Sequence, residues 1–392
     1  MATEEKNESK LGVLSSQDIK GLIAEGVISS TDPGEPITQA QVQPASLDLR
    51  LGATVYRVLA SFLPEKEDVL TRLHQLDMYG GDIEMYELDI TEPRVLEKGQ
   101  VYLIPLMEEL KLPSTLSGRA NPKSTTGRLD IFTRVITDKN HRFDDIARGY
   151  KGQLFLEVMP RSWSIRVQKG QSLVQLRLAQ GKGQDYILAN KPLEKLNDDE
   201  KLLYIDEEPV TDVNITKKGL FMSVDLSGDN PESIIGYRSK RNSHYIDLSK
   251  VNFYEIEEFW EPIYKKTIKD TLILEPEEFY ILASKEKIRI PNGFAAELVP
   301  FEAGSGELRT HYAGFFDPGF GYGNNGEMTG TKAVLEVRAH DIPFMIADGQ
   351  TICKFNFEKM ASKPEILYGT DIGSSYQGQG IKLSKHFKDG QS

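Results

Sequence analysis

The run Lys123-Ser124-Thr125-Thr126-Gly127-Arg128-Leu129 puts a cation, adjacent hydroxyls, a glycine and an arginine within six positions. Phosphate groups favour this mix of charge-assisted donors, small hydroxyls and close backbone approach. The G-x-x-x-x-G-K-[ST] order of a Walker A loop is absent. Composition alone also allows a plain polar turn. A second candidate is Leu335-Glu336-Val337, a carboxylate between apolar neighbours. Strand alternation alone would turn Glu336 outward to solvent. A partly buried carboxylate would instead suit general-base work. The segment from Ala313 and Gly314 through Asp317-Pro318-Gly319 to Gly321 reads as a turn with close backbone packing. Gly373-Ser374-Ser375-Tyr376-Gln377-Gly378-Gln379-Gly380 reads as a disordered tail or as a lid that closes over a ligand. Cys353 stands alone, and His74, His141, His244, His311, His340 and His386 lack metal-ligand spacing, so no zinc site is expected.

These groups must be held by short strands. Val101 to Ile104, Gln153 to Val158, Ser172 to Leu178, Phe279 to Leu282, Ala333 to Val337 and Thr351 to Phe357 are bounded by Gly, Pro or charge. Ser46, Asp48 and Arg50 share one face of another, whose plainest reading is an edge strand with a solvated face. Two helices are expected: one N-capped by Ser16 with Ile19, Leu22 and Ile23 on one face, and one from Asp68 to Leu76. Many short strands with frequent turns point to a β-sandwich or barrel.

The strands recur. Leu96 to Leu103 matches Leu274 to Ile281 at 274 − 96 = 178, and Leu112-Pro113 matches Ile290-Pro291 at the same spacing. Leu156-Glu157-Val158 matches Leu335-Glu336-Val337 and Gly170-Gln171 matches Gly349-Gln350, both at 179. Ser46 to Leu49 is matched to Ser223 to Leu226 at 177. One period this long means a duplicated domain, not a solenoid. The expected division is 1–190, an acidic linker at 191–215, and 216–392. Glu157 is then the first-copy counterpart of Glu336.

The 392 residues carry 47 basic and 59 acidic side chains, a net charge of -12 that argues against a general nucleic-acid binder. No apolar run is long enough for a membrane span, and MATEEKNESK has no signal-peptide core. The expectation is a cytoplasmic protein with neither membrane nor nucleic-acid partner.

Taken together these motifs resemble the deoxycytidine triphosphate deaminase family of the dUTPase-like superfamily, in its double-length bacterial form, over residues 12–388. Gln43 to Gly52 resembles its N-terminal signature, and Lys123 to Leu129 its phosphate motif, with Lys123 in place of Arg. Ala313 to Gly319 resembles its turn, Val334-Leu335-Glu336 the strand of its catalytic Glu, and Tyr376 to Gln379 its closing tail. The resemblance implies a mainly β chain: two tandem distorted jelly-roll β-barrels (β-clip) with a few short helices. It implies zinc-free deamination of dCTP to dUTP, with Glu336 as base and proton carrier and Ala313 and Gly314 holding ring edge and water. Lys123, Ser124, Thr125 and Arg128 would hold the triphosphate with its Mg2+. Asp317 would also be a substrate residue, and Tyr376, Gln377 and Gln379 would close the lid. It further implies a homo-oligomer and dTTP as feedback inhibitor. Arg142 is a weaker phosphate candidate.

The two copies depart from the family pattern in complementary ways. The first keeps the phosphate motif but reads Phe143 to Gly152 without Asp-Pro-Gly; the second keeps Asp317-Pro318-Gly319 but has Phe301 to Glu307, without a cation, where the phosphate motif belongs. Ser375 stands where the family usually has Lys. One composite site per chain is expected, with the Glu157 site inactive. The alternatives are onward hydrolysis to dUMP, a non-catalytic nucleotide-binding regulator, and a purely structural double barrel.

Overall fold

Two turns show why the repeat persists. Gly170 and Gly349 both adopt positive φ, 84° and 73°, which glycine takes without strain. The following glutamines close the turns: Gln171 Oε1 accepts from Gln168 N at 3.0 Å, and Gln350 Oε1 from Ala347 N at 2.9 Å. Each turn exchanges two backbone hydrogen bonds with one residue, Leu51 in the first copy and Val224 in the second. Val224 is therefore the counterpart of Leu51, at 224 − 51 = 173, and the match of Ser46–Leu49 to Ser223–Leu226 is four residues out of register. Glu108 and Glu286 confirm the correction, accepting from the backbone N–H of Arg50 and Ser223 at 2.7 and 2.9 Å. By this register Asp48 corresponds to Phe221, so the second copy has no counterpart carboxylate there.

The computed structural model describes residues 11–75, 83–300, 308–310, 314–339, 341–369 and 380–388. Each copy is a pair of mostly antiparallel sheets. In the first, Ser172–Gln180 lies between Leu116–Pro122 and both Gly12–Val13 and Leu47–Arg50. Facing it, Val101–Lys111 pairs with Lys151–Pro160, which pairs with Ile131–Ile136. In the second, Thr351–Lys359 pairs with Phe294–Pro300 and Gly219–Ser223, and Phe279–Ile288 with Thr331–Ala339. The registers coincide: Glu157 opposes Leu103, and Glu336 opposes Ile281. The expected distorted jelly-roll thus occurs twice.

The face carrying Ser46, Asp48 and Arg50 is buried, not solvated. The barrel covers it: Arg50 Nε meets Glu108 at 2.7 Å, and Ser46 donates to Gln175 at 3.2 Å. The first helix, Ser16–Ala24, is N-capped one residue earlier than expected, with Ser15 and Asp18 bonded at 2.7 Å. The second, Val69–Leu73, buries Val69 and Leu73; Leu76 is outside the described residues. In the stretch expected as linker, Lys191–Glu200 is a helix that buries Leu193 and Leu196, and Leu203–Ile205 pairs with Phe279–Ile288. Its acids lie on the outer face while its leucines join the second core.

The copies share a core. Trp163 of the first lies 5.0 Å from Trp260 and 5.6 Å from Phe259 of the second. Phe387, near the C-terminus, packs 5.6 Å from Phe259. Edge-on aromatic packing of this kind adds to the burial of large apolar area. Ile165–Val167 also pairs in parallel with Ile246–Asp247 across the boundary.

Candidate functional site

Lys123 caps the short helix Ser124–Gly127 with its backbone, its carbonyl accepting from Thr126 and Gly127 at 2.8 and 3.0 Å. This turn buries Thr126 and Gly127, leaving Ser124 exposed and Thr125 half-buried. Its buried side meets the second copy. A β-carbon on Gly127 would lie 3.0 Å from Oε1 and 3.2 Å from Oε2 of Glu336. Any larger residue at this position would push the carboxylate back by a few tenths of an ångström.

Glu336 is buried, contrary to simple outward alternation, because the first copy covers that face of its strand. Burial, against a weaker pull from Arg128 and with a push from Asp130, raises its pKa to about 8. Among the described residues its carboxylate has no ion-pair partner. Glu157, at the same register, differs. Arg134 Nε and Nη2 grip its Oε1 at 2.9 and 2.5 Å, and that guanidinium stacks 3.6 Å over Phe143. A carboxylate held this way is engaged by the guanidinium rather than open to a ligand.

The helix also lines a cavity of about 290 Å³, with Lys123, Thr125, Thr126, Asp48, Lys385 and His386 among its walls. Lys123 is ion-paired to Asp48, whose other oxygen, Oδ1, is buried without a hydrogen-bond partner among the described residues. Burial raises the Asp48 pKa against the pull of Lys123. Lys385 is pushed down by burial and by Lys123 beside it. Two crowded ammonium groups make a site that an anion would relieve. His386, lowered to about 4 by burial and Lys385, is neutral at pH 7.

Lys385 and its neighbours come from the C-terminal segment, which crosses the first-copy motif. Arg128 Nη1 donates to Lys382 O at 2.8 Å, and Ser384 Oγ to Thr125 O at 3.0 Å. Sequence reasoning missed Lys385. Its signal was the basic cluster Lys382, Lys385, His386 and Lys388 just beyond the glycine-rich stretch.

Asp317, expected at the ligand, has its carboxylate on Arg177 of the first copy, 3.1 Å from Nη2. Arg177 also meets Glu358 at 3.1 Å and stacks 4.0 Å over Phe315. Arg119 pairs with Glu297 at 2.7 Å and with Glu358. Burial alone would lower the Arg119 pKa, but Glu358 and Glu297 outweigh it and hold it high. Two first-copy arginines thus bind three second-copy carboxylates. Arg119 and Glu297 are equivalent positions, 297 − 119 = 178, that have diverged to opposite charge.

Of the other expected residues, Gly314 opens the strand Gly314–Phe316, opposite Leu298. Arg142 is exposed. Ala313, Tyr376, Gln377 and Gln379 lie outside the described residues, as do Ser375 and residues 301–307. The described residues hold no group of three or more His, Cys, Asp or Glu arranged for a metal ion. None of their helices is long and apolar enough to cross a membrane.

Known proteins resemble this chain in both halves. The family model for the 2'-deoxycytidine 5'-triphosphate deaminase N-terminal domain matches residues 10–182, and that for the C-terminal domain residues 189–387. A "dCTP deaminase, dUMP-forming" of Bifidobacterium animalis subsp. lactis is 33% identical over 146 residues, 37% of this chain and 67% of the relative. One of the same name from Methanosphaera stadtmanae is 31% identical over 153 residues, 38% of this chain and 68% of the relative. The crystal structure of 2'-deoxycytidine 5'-triphosphate deaminase from Agrobacterium tumefaciens superposes with a TM-score of 0.81 at 42% identity, covering 93% of this chain and all of that one. With both halves matched in order and the barrel repeated, the chain belongs to the 2'-deoxycytidine 5'-triphosphate deaminase family.

Proposed function

We propose that the chain hydrolyses the 4-amino group of dCTP at one composite site, with phosphates on the first copy and Glu336 from the second. The observation that carries this is the approach of Glu336 to Gly127 inside the phosphate motif. With its pKa near 8, Glu336 rests mostly protonated at pH 7, which puts proton donation first. The carboxyl gives its proton to N3, making C4 electrophilic. The carboxylate then takes a proton from water as the oxygen bonds to C4. That proton passes to the amino group, the C4–N bond breaks with its electron pair on nitrogen, and ammonia leaves. The proton on the new C4 hydroxyl returns to Glu336, leaving dUTP. Backbone groups at Ala313 and Gly314 are assigned to ring edge and water.

Lys123, Lys385, Ser124, Thr125 and Arg128 are assigned to the triphosphate. The one carboxylate that lines the cavity among the described residues, Asp48, is engaged by Lys123. Mg2+ would be carried by the triphosphate rather than held by these side chains, and would supply charge neutralisation. Tyr376, Gln377 and Gln379 close over the nucleotide. Asp317 acts through Arg177, holding the turn in place. Homo-oligomer formation and inhibition by dTTP belong to this reading; light scattering and dTTP titration of the activity test them.

A second reading is favoured by the relatives' names: the product is hydrolysed onward to dUMP. Incubation with dCTP, and separately with dUTP, followed by resolution of dUTP, dUMP and ammonia, tests both. Ammonia with dUTP supports release. Ammonia with dUMP and pyrophosphate supports the second reading. Nucleotide binding without ammonia contradicts deamination.

A further inference from the structure

Arg338 stands two residues beyond Glu336 on the same strand face and opens onto a different cavity. This space, about 510 Å³, lies between the copies: Lys98 and Arg161 line it from the first, Arg241, Glu277 and Arg338 from the second. Equivalent positions meet here with altered charge. Gly99 faces the cavity with Glu277, at 277 − 99 = 178, and Met159 with Arg338, at 338 − 159 = 179. Among the described residues, four cations thus face one lining carboxylate.

That carboxylate is a weak competitor. Glu277 lies 3.5 Å from Arg161 and 3.6 Å from Arg338, and its side chain is 64% exposed. Water screens such contacts. Arg338 is deeply held, bonded to the buried Asp130 and to Glu277 O. Arg241 reaches Glu278 at 2.6 Å with most of its guanidinium exposed. Lys98 forms no ion pair among the described residues. Burial, together with Arg338 and Arg241, pushes its pKa down. Nothing in the proposed deamination uses this cluster.

We propose that this inter-copy cavity is a second anion site, binding the di- or triphosphate group of a small molecule through Lys98, Arg161, Arg241 and Arg338. Guanidinium groups bind phosphate oxygens in bidentate fashion, and an anion relieves the crowding of like charges. A ligand there shares Arg338 with Asp130, whose charge bears on Glu336.

The test is calorimetric titration of the full chain with inorganic pyrophosphate. Arg161→Ala/Arg241→Ala removes two partly exposed cations, and thermal melting checks that the fold is kept. The expected result is loss of one binding event, weakened at least ~10-fold, with Arg161→Lys/Arg241→Lys retaining it. Lys123→Ala/Lys385→Ala should leave that event in place, which separates it from the substrate site. In that background dATP is the second probe. Equal loss of dATP and pyrophosphate on adding Arg161→Ala/Arg241→Ala assigns the site to nucleotide-borne phosphates, and loss of pyrophosphate alone to the free ion. Unchanged pyrophosphate binding in a folded Arg161→Ala/Arg241→Ala protein overturns the proposal.

Discussion

Glu336 of one copy lies against Gly127 of the other, so closely that a single added methyl would stand 3.0 Å from its carboxylate oxygen. Gly127→Ala should therefore displace the carboxylate while leaving the barrel intact. The expected outcome is a fall in kcat of about 10-fold or more with a smaller change in KM, since a misplaced catalytic group loses rate. Steady-state kinetics with a melting curve check this.

The pH dependence follows from the same carboxyl. Its pKa rises from 4.5 to about 8 on folding, so the native state holds the proton more tightly. Stability from this group is full below the unfolded value and falls as pH rises towards 8. Glu336→Gln should then be more stable than the natural chain at pH 8, by up to about 4 kcal/mol, with little difference at pH 4.5. Activity that starts from the protonated acid should show a kcat/KM limb descending near pH 8. Thermal melts and a pH–rate profile test both.

Lys385 stands in the cavity beside Lys123, brought there by a segment anchored on Arg128 and Thr125. Lys385→Ala should raise KM for dCTP by about 10-fold, with kcat changed less, because a charge-assisted phosphate contact is lost. The effect should shrink as salt rises. Initial rates at two ionic strengths decide it.

Arg177 carries the boundary between copies, meeting Asp317, Glu358 and the carbonyl of Ala296. Arg177→Ala leaves two buried carboxylates without that cation. Such a truncation costs about 3–5 kcal/mol, so a large drop in melting temperature is expected. Urea unfolding provides the measurement. An unchanged midpoint would remove Arg177 from this role.

Much of this was legible in the residues themselves. The repeat and the six strands follow from order and spacing, and the pairing of motif and glutamate from different copies from the way each copy departs from the family pattern it resembles. What escaped was whatever depends on which face another domain covers. Asp48 and Arg50 read as solvated because strand alternation cannot tell solvent from a second sheet. Arg177, polar within Leu176-Arg177-Leu178, gave no sign that its partners lie 140 and 181 residues away. Ser46-Leu47-Asp48-Leu49 and Ser223-Val224-Asp225-Leu226 look alike over four residues, but the turn geometry that pins Leu51 to Val224 sets the true register.

The central claim is that the two glutamates at equivalent register have parted company. Arg134 holds Glu157, while Glu336 faces the phosphate motif with no bound cation among the described residues. Ammonia release from dCTP by Glu336→Gln and Glu157→Gln, each checked for folding, measures this directly. The account predicts a loss of about 10²–10⁴ in kcat for Glu336→Gln and near-natural turnover by the folded fraction of Glu157→Gln. Full activity in Glu336→Gln with loss in a folded Glu157→Gln would contradict it.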